Sequence, residues 1–175
     1  MIHDDHGAYR LRALLLDDGT LEINYYERRT SVTGGRIVQV FEVDPAGYSS
    51  ARARSYDSIL LLVKRVYIDR TIARLDITNC NYWFNAFSNC TEVRGFENLS
   101  GMTSTTQMFS SCSSLETIYA DSMWALPSSG ISGSQCFYSC RSLVGGSGTA
   151  RTNSNAGYTY MRIDEAGQAG YLTAA

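Results

Sequence analysis

Five cysteines, two histidines and one Gly-rich run are the residues of this 175-residue chain with most scope for chemistry. Cys136 and Cys140 stand four apart, but no second close pair and no neighbouring His completes a zinc pattern. His3 and His6 flank Asp4 and Asp5, a weak divalent-metal arrangement in a terminal segment where an incidental role is the expectation. The run Gly145-Gly146-Ser147-Gly148-Thr149 lacks the Lys of a phosphate loop, and no helical pattern follows it. A Gly-x-Ser-x-Gly elbow is missing. No His accompanies Cys80, Cys90, Cys112, Cys136 or Cys140 to activate a thiolate. The paired carboxylates Asp17-Asp18 are accounted for by a turn. The expectation is therefore no enzyme, no cofactor and no metal.

Composition narrows the class further. Apolar residues make up 44% of the chain, enough for a core, while charged residues reach only 18%. Ser, Thr, Gly and Asn fill the difference, which suits a turn-rich, β-leaning chain rather than long helices. The formal charge of −2 offers no field to gather nucleic acid or an anionic membrane. An odd number of cysteines leaves at least one thiol unpaired within the chain. Buried free thiols are the default, with disulfides between successive repeats as the competitor. The opening Met1-Ile2-His3-Asp4-Asp5-His6 has no basic or apolar stretch of a secretory signal. The longest apolar run, Ile59-Leu60-Leu61-Leu62-Val63, is too short to span a bilayer. These features predict no membrane insertion, and a virion-associated or intracellular location unless another route delivers the protein.

Two regions must position whatever function remains. Residues 1–58 read as an N-terminal β-hairpin cap. In it Ala8–Leu16 and Leu21–Tyr26 flank Asp17-Asp18-Gly19-Thr20, whose Asp-Gly tolerates positive φ. A third strand over Ile37–Val43, after the Gly34-Gly35 turn, is expected to run antiparallel to the second. Residues 59–175 read as a repeat region.

The repeat is Phe-x-x-Cys-x-x-aliphatic. It occurs as Phe87-Ser88-Asn89-Cys90-Thr91-Glu92-Val93, Phe109-Ser110-Ser111-Cys112-Ser113-Ser114-Leu115 and Phe137-Tyr138-Ser139-Cys140-Arg141-Ser142-Leu143, at intervals of 22 and 28 residues. After each Cys a short strand is expected, with aliphatic side chains inward. Leu115–Ala120 and Val63–Ile68 fit that frame, Val93–Asn98 fits it in part, and Leu143–Gly148 fits only at its start, as a terminating turn. Stacked units would bury their inward aliphatics in one column.

Trp83-Phe84-Asn85-Ala86-Phe87-Ser88-Asn89-Cys90, Met108 to Leu115, Leu143 to Ala150 and the closing Tyr160-Met161-Arg162-Ile163-Asp164 with Gly170-Tyr171-Leu172-Thr173 resemble BspA-type leucine-rich repeats. The front, Ala8-Tyr9 with Asp17 to Leu21, resembles the leader that often precedes them. The resemblance implies a mainly β fold with short helices (α+β): a short leucine-rich-repeat solenoid with a C-terminal capping strand. It also implies a non-catalytic recognition module of the kind found in bacterial surface proteins and in phage or prophage genes of gut bacteria.

Such a protein binds through the outward side chains of its strands. Registering the strand frames places Arg65, Gly95, Thr117 and Gly145 in one row and Tyr67, Glu97, Tyr119 and Ser147 in the next. Asp69 and Asp121 fall at the rim. Tyr and Arg are effective contact residues, so Arg65, Tyr67, Glu97, Thr117 and Tyr119 are the candidates; a merely solvated sheet face is the plainer reading. Trp124, in the insertion between Tyr119 and Gly133, is expected to be exposed for recognition, and Trp83 to be core. The expected partner is a protein or glycan, with self-association through sheet edges as a further option. A different class of function fits the compact size and an acidic second half: a soluble inhibitor of a host complex, anti-CRISPR-like in role.

Overall fold

The computed structural model describes residues 8–175, so the metal reading of His3 and His6 lies outside the described residues. Strand β1 (Arg10–Leu16) pairs antiparallel with β2 (Thr20–Tyr26), Leu15 opposite Leu21. Gly19 supplies the φ of +85° that the turn requires, and its N–H donates to the Leu16 carbonyl at 3.0 Å. The Asp18 carboxylate closes the corner by accepting from the Thr20 N–H at 2.9 Å.

β3 (Ile37–Glu42) pairs with β1, not with the second strand as its sequence suggests. The segment between them is carried over the outer side of the sheet by Glu22, which is fully buried. Its carboxylate accepts from the backbone N–H groups of Val32 (2.9 Å) and Thr33 (3.0 Å) and from the hydroxyls of Ser31 and Thr33, both at 3.0 Å. The other edge of β2 is taken by β4 (Arg65–Ile68), which runs parallel to it with Leu21 beside Val66 and Ile23 beside Ile68.

From there the sheet grows in parallel through β5 (Glu92–Arg94), β6 (Thr117–Ala120) and β7 (Leu172–Ala174), giving the order β3-β1-β2-β4-β5-β6-β7. The fold is mainly β with short helices. Among the described residues the helices are 3₁₀ turns of three to six residues, and none is long and apolar enough to cross a membrane. Leu21, Val66, Val93, Ile118 and Leu172 stand side by side on the five neighbouring strands, each at most 1% exposed. Such a row removes apolar surface from water as one continuous stripe, worth about 1.5–3 kcal/mol per side chain.

Opposite the sheet a second ladder forms from turns. The N–H groups of Tyr82, Phe84 and Ala86 donate to the carbonyls of Thr106, Met108 and Ser110 at 3.0, 2.9 and 2.8 Å. Those of Gln107, Phe109 and Ser111 donate in turn to Ser134, Cys136 and Tyr138 at 3.0, 2.8 and 2.7 Å. The intervening N–H groups of Trp83, Asn85 and Phe87 close turns onto Cys80, Tyr82 and Phe84. All six of these N–H groups in the first unit are thereby satisfied, three within the unit and three by the next. The arrangement needs left-handed residues at fixed places, and they recur: Tyr82, Gln107 and Gln135, then Ala86, Ser111 and Ser139, with φ between 49° and 66°.

These positions set the true repeat interval at 25 and 28 residues, which corrects the 22 and 28 of the sequence alignment. Phe84, not Phe87, is the partner of Phe109 and Phe137. The rings of Phe84 and Phe109 stack at 5.2 Å and those of Phe109 and Phe137 at 5.7 Å, and Tyr171 ends the column edge-on at 5.2 Å from Phe137. Phe87 occupies the place held by Cys112 and Cys140 in the later units. There the Cys112 thiol donates to the Phe84 carbonyl (3.0 Å) and the Cys140 thiol to that of Phe109 (2.9 Å). A first unit has no predecessor to supply that carbonyl, and an aromatic ring fills the space instead. The correction carries to the strands: Val93, not Phe96, lies between Val66 and Ile118.

Both ends of the ladder are closed. Buried Arg54 donates from Nη1 to the carbonyls of Tyr82 (2.7 Å) and Asn85 (2.9 Å), and the Tyr56 hydroxyl donates to that of Trp83 (2.9 Å). At the far end the Phe137 N–H donates to the Ala156 carbonyl at 2.8 Å. Beside β7 the Gly-rich segment 145–149 wraps the buried Asp164. Its carboxylate accepts from the N–H groups of Ser147 (2.9 Å), Thr149 (3.0 Å) and Gly170 (3.1 Å) and from the Thr149 hydroxyl (2.7 Å).

Candidate functional site

Strand alternation sends every second residue of β4, β5 and β6 away from the core. Arg65, Glu92 and Thr117 form one outward row, and Tyr67, Arg94, Tyr119 and Thr173 the next: Tyr67 pairs with Arg94, and Tyr119 with Thr173. Arg65 and Arg94 are exposed, and Tyr67, Glu92, Thr117, Tyr119 and Thr173 are half-buried. Four of the residues expected from sequence, Arg65, Tyr67, Thr117 and Tyr119, thus share this face. Glu92 and Arg94 join them, displaced into these rows by the three-residue correction of the repeat.

Three expected site residues, Glu97, Asp69 and Trp124, do other work, while Asp121, expected at the rim, stays exposed at the end of β6. Glu97 is not in the tyrosine row: it lies in the 3₁₀ turn Phe96–Leu99, because Gly95, with φ of +80°, ends β5 first. A side chain at Gly95 would collide with the Ile68 carbonyl, so no outward row can continue through this position. Asp69 is buried and caps the 3₁₀ turn Arg70–Arg74, accepting from the Thr71 N–H (3.0 Å) and hydroxyl (2.6 Å). Asp121 is exposed just beyond β6, where its carboxylate accepts from the Met123 N–H at 2.8 Å. Trp124 is not exposed. Its ring packs 4.7 Å from Phe96, and its Nε1 donates to the Met161 carbonyl at 3.0 Å. The insertion folds inward because an indole offers more apolar area to bury than any residue near it. Trp83 is fully buried, as expected of core.

The polar groups of the face are held in pairs. Arg65 Nη1 donates to the Asp18 carbonyl at 3.1 Å and lies 3.4 Å from its carboxylate. Arg94 Nε donates to Glu92, and the Arg94 guanidinium lies 4.1 Å from the centre of the Tyr119 ring. The Thr20 N–H holds the Asp18 carboxyl below the usual carboxylate range, helped by the Thr20 hydroxyl and the Arg65 charge. Burial, followed by the Asp69 charge, raises the Tyr67 phenol, so it stays a neutral hydroxyl. Thr33, Gly34 and Gly35, from the segment fastened by Glu22, stand over these residues and enclose with them a cleft of about 600 Å³.

The cysteines are held away from solvent. All five are buried free thiols, and burial pushes Cys90 and Cys136 up to about 11 and Cys140 up to about 12, with Cys80 and Cys112 also raised. Among the described residues no cluster of three or more His, Cys, Asp or Glu side chains is placed to hold a metal ion. No protein-family model, curated protein or solved structure matches this chain.

Proposed function

We propose that the protein is a non-catalytic recognition module: a short leucine-rich-repeat solenoid of BspA type, closed in front by the β1–β3 unit, that grips a protein or glycan with the outward face of β4–β6. A phage-associated or surface accessory role accompanies that reading. The observation that carries it is the row Tyr67–Arg94–Tyr119, in which Tyr67 is registered with Arg94 and the Arg94 guanidinium is laid on the Tyr119 ring. A plain solvated face has no need of a fixed aromatic and cationic pair, whereas such groups give contact area at little entropic cost.

The test is capture of partners by the full chain from intact bacterial cells and from their lysate in parallel. The double variant Tyr67→Ala with Tyr119→Ala, and the exposed Arg94→Glu, should each lose the captured partner while keeping the wild-type circular dichroism. Undiminished capture by both variants overturns the reading. Enrichment of a cytosolic complex, rather than a surface component, points to the inhibitor role.

A further inference from the structure

The cleft between segment 33–35 and strands β4 and β5 has a chemistry narrower than the whole face. Its charged groups cancel: Arg65 and Arg94 are matched by Asp18 and Glu92, all four lining the same space. A phosphate or carboxylate drawn to the guanidiniums would meet both carboxylates, and a cation would meet the reverse. The floor is the middle of the sheet, where β4 is paired with β2 on one side and β5 on the other. It therefore has no free strand edge on which an extended peptide could form a ladder.

What the cleft does present is donors and acceptors in adjacent fixed pairs, Arg65 with Asp18 and Arg94 with Glu92, beside the Tyr67 ring. Neighbouring hydroxyls on a sugar ring each donate and accept, and such pairs satisfy both needs at once. Side chains already held by one another lose little freedom when a ligand arrives. The volume of about 600 Å³ is within the range of small-ligand sites, and Gly34 and Gly35 put no side chain in the wall.

We infer that this cleft binds an uncharged sugar unit of a glycan, held by the Arg94–Glu92 and Arg65–Asp18 pairs. The inference rests on the recognition face proposed above and narrows it to one ligand class.

A printed panel tests it, with oligosaccharides ending in neutral hexoses, N-acetylhexosamines and deoxyhexoses beside sialylated, uronate-bearing and sulfated ones. The labelled full chain is the probe, and calorimetric titration of the strongest ligand follows. Neutral members should bind, with affinity unchanged by added salt. Arg94→Met and Glu92→Gln should each weaken that binding about tenfold or more, the scale of one lost hydrogen bond to a charged group. If either variant fails to fold, Asp18→Asn, at an exposed turn residue, replaces it. Binding confined to acidic glycans and abolished by salt overturns the inference, as do neutral-glycan binding indifferent to the variants and a panel with no binding at all. In the last case the Tyr67/Tyr119 double variant separates the two readings: if it still loses a captured protein, the face stands and the sugar site falls; if capture is undiminished, both fall.

Discussion

Arg54 Nη1 lies 2.9 Å from the Asn85 carbonyl, the group whose counterpart one repeat later, the Ser110 carbonyl, accepts from the Ala86 N–H at 2.8 Å. A guanidinium thus does for the first unit what a backbone N–H does for each later one. Tyr56 stands in likewise at Trp83, whose counterpart Met108 accepts from Phe84. The repeat can begin at Cys80 without leaving inward carbonyls bare, since one buried cation and one phenol supply the donors of an absent predecessor.

Arg54→Met should accordingly destabilise the whole protein by about 3 kcal/mol or more, since it strands several buried carbonyls and leaves Asp57 without its cation. Arg54→Lys should recover little, because a point charge cannot span carbonyls that a planar fork reaches. The measurement is the urea midpoint of each variant. A loss for Arg54→Met no larger than a surface ion pair, about 1 kcal/mol or less, would show that the cap is not needed.

Gly95→Ala and Gly148→Ala make a matched pair. Both residues have positive φ, but an added Cβ at Gly95 meets the Ile68 carbonyl, while at Gly148 it meets nothing within 4 Å. Gly148→Ala should cost about 1 kcal/mol of backbone strain, and Gly95→Ala clearly more, about 2–3 kcal/mol. Equal losses in thermal unfolding would contradict the close approach of β4 and β5 at this point.

Acid should act through Asp164. Burial alone would raise its carboxyl, but the N–H and hydroxyl of Thr149 and the N–H groups of Gly170 and Ser147 outweigh it and hold the group below its ordinary value. A depressed folded-state value means that the stabilisation is complete above the unfolded-state value and is lost as pH falls through the folded-state one. Stability measured from neutral pH downward should therefore decline more steeply below the ordinary aspartate range in wild type than in Asp164→Asn. The two curves should draw together at the acid end; parallel curves would remove Asp164 from the C-terminal closure.

Thiol chemistry gives a simple check on the ladder. With every cysteine buried and raised, a disulfide reagent near neutral pH should label the native protein only at the rate of its unfolding, and all five thiols in concentrated guanidinium chloride. Fast labelling of Cys112 or Cys140 in native buffer would place those thiols outside the Phe84–Phe109–Phe137 column.

Read alone, the amino-acid sequence shows that the chain repeats, that Asp17–Thr20 turns a hairpin, that the β4 and β6 segments point Val66 and Ile118 inward, and that the cysteines are small buried groups. Local patterns suffice for these, because each follows from residue type and period. The register of the first unit was not among them. Phe84, Phe87 and Cys90 are evenly spaced by three, so the motif matches itself when slid by three residues. Only the stacking of Phe84 on Phe109, together with the left-handed backbone at Ala86, selects one setting. The small residue shared by Ala86, Ser111 and Ser139 was the one faint signal for it. That single shift removed Glu97 from the outward rows and brought in Glu92 and Arg94. The pairing of β3 with β1 and the burial of Trp124 were likewise settled by tertiary structure alone. They depend on a carboxylate, Glu22, that gathers a distant loop, and on an aromatic pocket around Phe96 that exists only once the repeats are stacked.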